Sequence, residues 1–311
     1  MLRAFTRQET ENHMRTFPLR ITLELTNRCN ISCTFCPRHQ MGGRLGMMDT
    51  ALALRLIDEM AGNLPVTLVP FFRGESLLHP DWWKIIAHAK AKALGPIQFT
   101  TNGTLLDEEN ARRLLECGVD FISFSLDTVD PALYETSRRG ADYSTTITNI
   151  LRFLDMHAAE KNPMTIQVSA VETEDHKAGM DDFVAFWRSR VDRVRVYAEH
   201  SGNGRPGSMQ ERIDAVSTRL PCKKLEEDMV ILWNGDAAIC NHDWQRQRHG
   251  EVFASVADGD IAGAWNSEGY QRLRDAHERG MLDSVTPCND CEQWKAFYLP
   301  EYLIGRVYTR G

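Results

Sequence analysis

Polar and apolar residues alternate through Arg20-Ile21-Thr22-Leu23-Glu24-Leu25, the pattern of a half-buried strand. Strand-like stretches recur at Leu19–Leu25, Val66–Phe72, Ile97–Thr101, Phe121–Leu126, Met164–Val171 and Arg193–Glu199. Helix-like segments fall between them, at Thr50–Ala61, Asp81–Leu94, Glu108–Cys117, Thr145–Glu160 and Met180–Arg190. Asp49 or Thr50 caps the first of these and Gly62 ends it; Asp107 caps the third and Gly118 ends it. Regular strand–helix alternation implies a parallel sheet with right-handed crossovers, and six units suit a curved, partly open α/β barrel. Residues 1–17 lack apolar periodicity and read as an N-terminal extension. The run Ser201-Gly202-Asn203-Gly204-Arg205-Pro206-Gly207 marks a loop and a domain boundary. The barrel domain is thus expected over 18–207 and a smaller domain over 208–311. In the latter, Met229–Trp233 and Ala237–Cys240 flank the turn signal Asn234-Gly235-Asp236, giving a β-hairpin, and a helix is expected over Trp265–Arg279.

Composition changes this picture little. The chain has 311 residues, 42% hydrophobic and 25% charged, as an ordinary globular protein does. A net charge of −7 argues against a dedicated nucleic-acid binder. No run of apolar residues is long enough to span a membrane, and no signal-peptide pattern opens the chain, so a cytoplasmic setting is expected.

The cysteines carry the chemistry. Three of the eight stand in Cys29-Asn30-Ile31-Ser32-Cys33-Thr34-Phe35-Cys36, on the loop just past the first strand. Three thiolates on one loop can hold three corners of a cubic iron–sulfur cluster, leaving one iron open to a small molecule. A zinc site with His39 as fourth ligand is the alternative. The C-x3-C-x2-C spacing resembles the signature of radical S-adenosylmethionine (SAM) enzymes. That resemblance implies a (β/α)6 partial TIM barrel whose [4Fe–4S] cluster binds SAM, cleaving it to methionine and a 5′-deoxyadenosyl radical once reduced by an external flavodoxin- or ferredoxin-type donor. Sites are then expected at the C-terminal ends of the strands, by analogy with closed barrels.

Further motifs fit the same resemblance. Arg73-Gly74-Glu75-Ser76 is similar to the family's GGE motif, which meets the amino group of SAM; Arg73 replaces the first glycine and is expected to reach the SAM carboxylate, an anionic substrate or a nearby acid. Thr101-Asn102-Gly103 resembles the TNG turn, and Ser125-Leu126-Asp127 the SxD segment. Arg138 matches the arginine that holds the methionine carboxylate, a geometry suited to a guanidinium fork. Phe35 falls where the family borders adenine. At the end of the sixth strand, Tyr197, Glu199 and His200 are expected to face the substrate, with His200 a candidate general base.

Beyond the boundary, Cys222, Cys240 and the pair Cys288-Asn289-Asp290-Cys291 resemble the ligand set of the shorter, one-cluster "twitch" form of the SPASM auxiliary domain. A second [4Fe–4S] cluster with these four ligands is therefore expected, a zinc ribbon being the rival. His242 and Asp243 follow Cys240 and are candidates to line the cavity between clusters and take a hydroxyl proton. Cys117 is expected to be a buried, inert thiol. A chain of this layout most resembles radical SAM dehydrogenases, which oxidise a secondary alcohol of an aminocyclitol or sugar and pass the second electron to the auxiliary cluster. A sugar epimerase, with a cysteine hydrogen donor, and a peptide- or protein-modifying maturase are the alternatives. A small-molecule substrate is expected, with neither nucleic acid nor membrane as partner.

Overall fold

The computed structural model describes residues 16–41, 43–199, 218–244, 253–283, 285–299 and 305–310. In chain order its elements are β1 (Arg20–Leu23), β2 (Ser32–Cys33), α1 (Thr50–Ala61), β3 (Thr67–Val69), α2 (Trp82–Ala91), β4 (Gln98–Thr101), α3 (Glu108–Glu116) and β5 (Phe121–Ser125). There follow α4 (Pro131–Ser137), β6 (Arg138–Arg139), α5 (Tyr143–Glu160), β7 (Thr165–Glu172), α6 (Met180–Arg188) and β8 (Arg193–Ala198). The C-terminal part adds β9 (Asp228–Ile231), β10 (Ala237–Ala238), α7 (Ile261–Trp265), α8 (Glu268–Glu278) and β11 (Gly305–Thr309).

The six expected parallel strands form the wall of a partial barrel. β1 pairs with β3, and β4, β5, β7 and β8 pair in sequence, all parallel. A bridge between Leu68 and Ile97 joins the two runs. Ile21, Leu23, Leu68, Ile97, Phe99, Ile122, Phe124 and Val168 are fully buried, as expected of strands covered on both faces. Helix starts follow the sequence punctuation. Asp49 accepts from Leu52 N at 3.1 Å and Asp107 from Asn110 N at 2.8 Å. Gly118 takes φ +91° just beyond α3, a conformation costly for a residue with a Cβ.

The C-terminal part does not stand off from the barrel. β9 runs parallel to β1, with Ile21 opposite Met229, and β10 turns back antiparallel on β9. At the other end of the arc β11 pairs antiparallel with β8. The hairpin thus extends the same sheet that carries the first cysteine loop.

Four expectations change. The expected strand over Val66–Phe72 is only Thr67–Val69, since Pro70 lacks the N–H that a ladder needs. The helix expected over Trp265–Arg279 is two helices, because Ser267 takes non-helical angles and caps α8 by accepting from Tyr270 N. α4 goes beyond the expected set; Asp130 caps it at Leu133 N (2.9 Å) and Pro131 occupies its first position. β11 was equally unexpected. Cys117 lies at the end of α3, is 5% exposed, and burial pushes its thiol up to about 12.

Candidate cluster and cofactor sites

The first cysteine loop is braced from three sides. Behind it, Thr26 Oγ1 donates to Gly46 O at 2.7 Å, and Asn27 holds Gly46 N and Arg44 O at 2.8 and 2.9 Å. On one flank Glu75 N donates to Arg28 O at 2.8 Å. Gly74 lies so close there that a Cβ would stand 2.3 Å from Thr26 O and 2.5 Å from Arg28 O. The glycine is required by contact, not by its angles. On the other flank β2 pairs with β6, setting Cys33 opposite Arg138, and Thr34 N donates to Ser137 O at 2.8 Å. Cys29, Cys33 and Cys36 are each half-buried, and burial raises all three thiols, Cys33 to about 11. His39 is exposed on the following turn.

The strand ends behind this loop carry an ordered polar layer. Glu75 is buried, and its carboxylate accepts from Leu77 N (3.1 Å), Thr101 Oγ1 (2.9 Å) and Asn102 N (2.8 Å). Burial still raises its carboxyl, against those hydrogen bonds. Asn102 Nδ2 donates to Asn30 Oδ1 at 3.1 Å and lies 3.9 Å from Cys29 Sγ. Asp127, at φ +70°, is buried, accepts from Val171 N at 2.8 Å, and takes Arg138 on its other oxygen, with Nε at 2.8 Å. Arg138 is buried too, and the Asp127 charge keeps it protonated despite its desolvation. Its guanidinium lies 5.9 Å from the Phe35 ring centroid, and Phe35 meets His176 edge-on at 5.6 Å. Ser125 ends β5 two residues before Asp127. Glu199 follows β8 and is half-buried, while His200 lies outside the described residues.

Arg73 does not project toward this layer. It is 3% exposed, and its Nε and Nη2 each donate to Glu24 at 2.7 Å. The expected reach to SAM or substrate is therefore corrected to the acid pairing, in buried rather than surface form. Glu24 also accepts from Trp233 N at 3.2 Å, and Arg73 Nη1 lies 3.4 Å from Trp244 O. The pair ties the first loop, the Gly74 turn and the C-terminal hairpin into one joint.

The second set converges on a single cavity. Cys222, Cys240, Cys288 and Cys291 all line it, with Arg219 and His277. Cys240 Sγ accepts from His242 N at 3.3 Å; Cys288 and Cys291 form a turn closed by Cys291 N to Cys288 O. Arg219 Nη1 and Nη2 hold Cys291 O and Cys288 O at 2.8 and 3.3 Å, and the guanidinium stacks on Trp294. Burial raises all four thiols, Cys288 to about 12. Asp243 is buried and accepts from Ile239 N at 3.1 Å, bracing the turn that presents Cys240.

Comparison with known proteins now decides the family. The model of the radical SAM superfamily matches residues 23–168, and that of an iron–sulfur cluster-binding domain matches residues 222–292. The chain belongs to the radical SAM superfamily. A probable GTP 3′,8-cyclase of Methanocaldococcus jannaschii is 29% identical over 136 residues, 44% of this chain and 45% of that protein, so the chain matches less than half of its length. The crystal structure of BtrN in complex with AdoMet and 2-DOIA superposes with TM-score 0.58 at 17% identity, covering 88% of this chain and 92% of that one. Streptococcus suis SuiB bound to precursor peptide SuiA gives 0.65 at 15% identity, covering 90% and 71%. At such identities these two structures establish the fold, the partial barrel with a C-terminal cluster domain.

This radical SAM enzyme binds SAM, a [4Fe–4S] cluster and additional iron–sulfur chemistry in its second domain. Its residues fit those groups. Raised thiols need a cationic partner to become thiolates, which iron supplies. Among the described residues no three Cys, His, Asp or Glu side chains close on a single ion. Of the residues expected near SAM, Phe35, Gly74, Glu75, Asn102, Asp127 and Arg138 gather around the first loop. Glu24, His176, Arg219 and His277 were not expected, as each depends on a partner far away in sequence.

Proposed function

We propose that this chain oxidises a C–H bond of a small polar substrate, a sugar or aminocyclitol, using the second cluster as electron acceptor. Cys29, Cys33 and Cys36 would hold the SAM-binding cluster, and Cys222, Cys240, Cys288 and Cys291 the auxiliary one. When bound, SAM and its cluster supply a hydrogen-abstracting 5′-deoxyadenosyl radical, and the auxiliary cluster supplies a place for one electron. The balance is that of an alcohol becoming a carbonyl: one hydrogen atom goes to the radical, one proton to a base, and one electron to the acceptor.

The chain's own residues set the geometry. Arg138, fixed by Asp127, presents its remaining guanidinium donors to the methionine carboxylate of SAM. Glu75 locks the Asn102 turn against the Gly74 turn, so the two loops that flank SAM move together. Phe35 borders the adenine and Ser125 offers its hydroxyl to the ribose. Glu199, at the end of β8, is the base that takes the hydroxyl proton; Asp243 is engaged in its own turn.

The observation that carries this reading is the convergence of all four C-terminal cysteines on one cavity. A cluster held at every corner has no open iron for substrate, which leaves electron transfer as its role. The test is product analysis with a panel of aminocyclitols and sugars. One 5′-deoxyadenosine per carbonyl formed, with no solvent deuterium at the product carbon, is expected. Deuterium incorporation without net oxidation would reject dehydrogenation in favour of an epimerase. An external flavodoxin- or ferredoxin-type reductant and a cytoplasmic setting belong to the proposal.

A peptide substrate is the second reading. Among the described residues β11 is a sheet edge, and an extended peptide can add to such an edge through backbone hydrogen bonds. Modification of a peptide, with no turnover of any sugar, would favour it.

A further inference from the structure

His277 sits in the last turn of α8, 5% exposed, and its ring lines the cavity shared by the four C-terminal cysteines. Among the described residues neither of its ring nitrogens has a hydrogen-bond partner. A buried polar group left without a partner is rare and points to something that completes it. Arg219, on the same cavity, repeats the pattern: its Nη atoms hold the carbonyls of Cys288 and Cys291, while its Nε has no partner among the described residues. Two side chains with buried, unpartnered nitrogens therefore line the cavity that the four cysteines share. The rest of the lining is mostly apolar, including Leu225 and Ile239, with His242 a further polar side chain around it among the described residues.

We propose that His277 donates its ring N–H to a sulfur of the auxiliary cluster and so raises the potential at which that cluster accepts an electron. This rests on the reading that the four cysteines hold the cluster. Hydrogen bonds to cluster sulfur and nearby positive charge both favour the reduced, more negative state. His277 supplies the first and Arg219 the second. The pair would raise the auxiliary couple relative to that of the substrate radical, as an acceptor of its electron requires. His277 is a positioning and tuning residue here, not a fifth ligand, since four thiolates already fill the four corners.

The test uses the anaerobically reconstituted full chain carrying both clusters. The auxiliary signal is assigned as the one lost in Cys240→Ala, and its potential is followed by electron paramagnetic resonance during redox titration. His277→Phe should keep its iron and shift the auxiliary couple to more negative potential. The expected size is about tenfold in the reduced-to-oxidised ratio, which is about 59 mV for one electron. His277→Gln, which keeps an N–H donor, should recover much of that shift, and neither variant should move the first cluster. With ring-labelled [15N]histidine, the reduced auxiliary cluster should show a weak nitrogen coupling that is diminished in His277→Gln. An unchanged potential in His277→Phe with full iron content would overturn the proposal. So would a strong coupling accompanied by loss of auxiliary iron in both variants, which is the signature of a ligand. If instead Cys240→Ala kept all its iron and both signals, the cysteine assignment itself would be the part that failed.

Discussion

Cys29, Cys33 and Cys36 belong to one loop, whereas Cys222, Cys240, Cys288 and Cys291 come from a turn, a hairpin end and a distant pair. The first set is positioned by backbone bonds to its neighbours: the Gly74 turn on one side, β6 on the other. The second is assembled by packing across the C-terminal part, around Leu225, Ile239, Leu273, Leu282 and Cys288. The polar surroundings differ as well. Around the first loop, Glu75 is held by Thr101 and the backbone of Leu77 and Asn102, and Asp127 pairs with Arg138, which keeps guanidinium donors for an outside ligand. Around the second, the polar groups turn inward on the cysteines. Under the proposed function the contrast has a reason: a site that binds and releases a small molecule is built from interlocked turns, and one that only passes electrons is enclosed.

The largest effects should separate the two sets. Cys33→Ala should bring 5′-deoxyadenosine formation below detection while leaving the auxiliary signal intact. Cys240→Ala should do the reverse, still cleaving SAM but yielding no oxidised product. If Cys240→Ala also abolished SAM cleavage, the two sites would not be independent.

Next come the two buried ion pairs. Arg73→Met leaves Glu24 as an uncompensated buried charge and should cost about 3–5 kcal/mol in denaturant unfolding, while Glu24→Leu with Arg73→Met should recover most of it. Arg138→Met should cost a similar amount, about 3–5 kcal/mol, by stranding Asp127, and in addition weaken SAM binding measured by calorimetry. Equal SAM affinity in the two single variants would contradict the separate roles given to them.

Gly74→Ala tests the bracing of the first loop. Its Cβ would meet Thr26 O at 2.3 Å, so the loop must shift, and turnover should fall by roughly 10²-fold with stability less affected. Unchanged turnover would show that the loop's placement is not held by this contact.

The smallest effect is a pH dependence near the first site. His176 is buried between Thr173 and Ser137, and burial holds its imidazole below the usual 6.5. The unfolded chain therefore takes up a proton first as pH falls. Stability should be full above about pH 6.5 and decline below it, by at most about 1.4 kcal/mol per pH unit. His176→Gln should flatten that acid limb; an unchanged slope would remove His176 as its cause.

Sequence reading found what is local. The cysteine spacing, the Gly74-Glu75 turn and the Asn102-Gly103 turn are each contiguous, and strand–helix alternation fixes which loops share the C-terminal end of the barrel. It missed what depends on distant partners. Arg73 reads equally as facing a ligand or pairing with a nearby acid, because nothing in its neighbourhood names Glu24, which pairs with it from the end of β1. His277 sits on a helix whose pattern predicts only a polar face, and its value comes from cysteines on other segments. β11 has a short, mixed pattern that reads as a strand only once β8 offers an edge.

The central claim, two clusters held by two separate cysteine sets, is tested most directly by counting iron in three proteins while assaying 5′-deoxyadenosine. The parent chain should hold about eight irons, and the Cys29/Cys33/Cys36→Ala and Cys222/Cys240/Cys288/Cys291→Ala variants about four each. Only proteins with the first set intact should form 5′-deoxyadenosine. A quadruple variant that keeps all the iron of the parent, or a triple variant that still cleaves SAM, would contradict it.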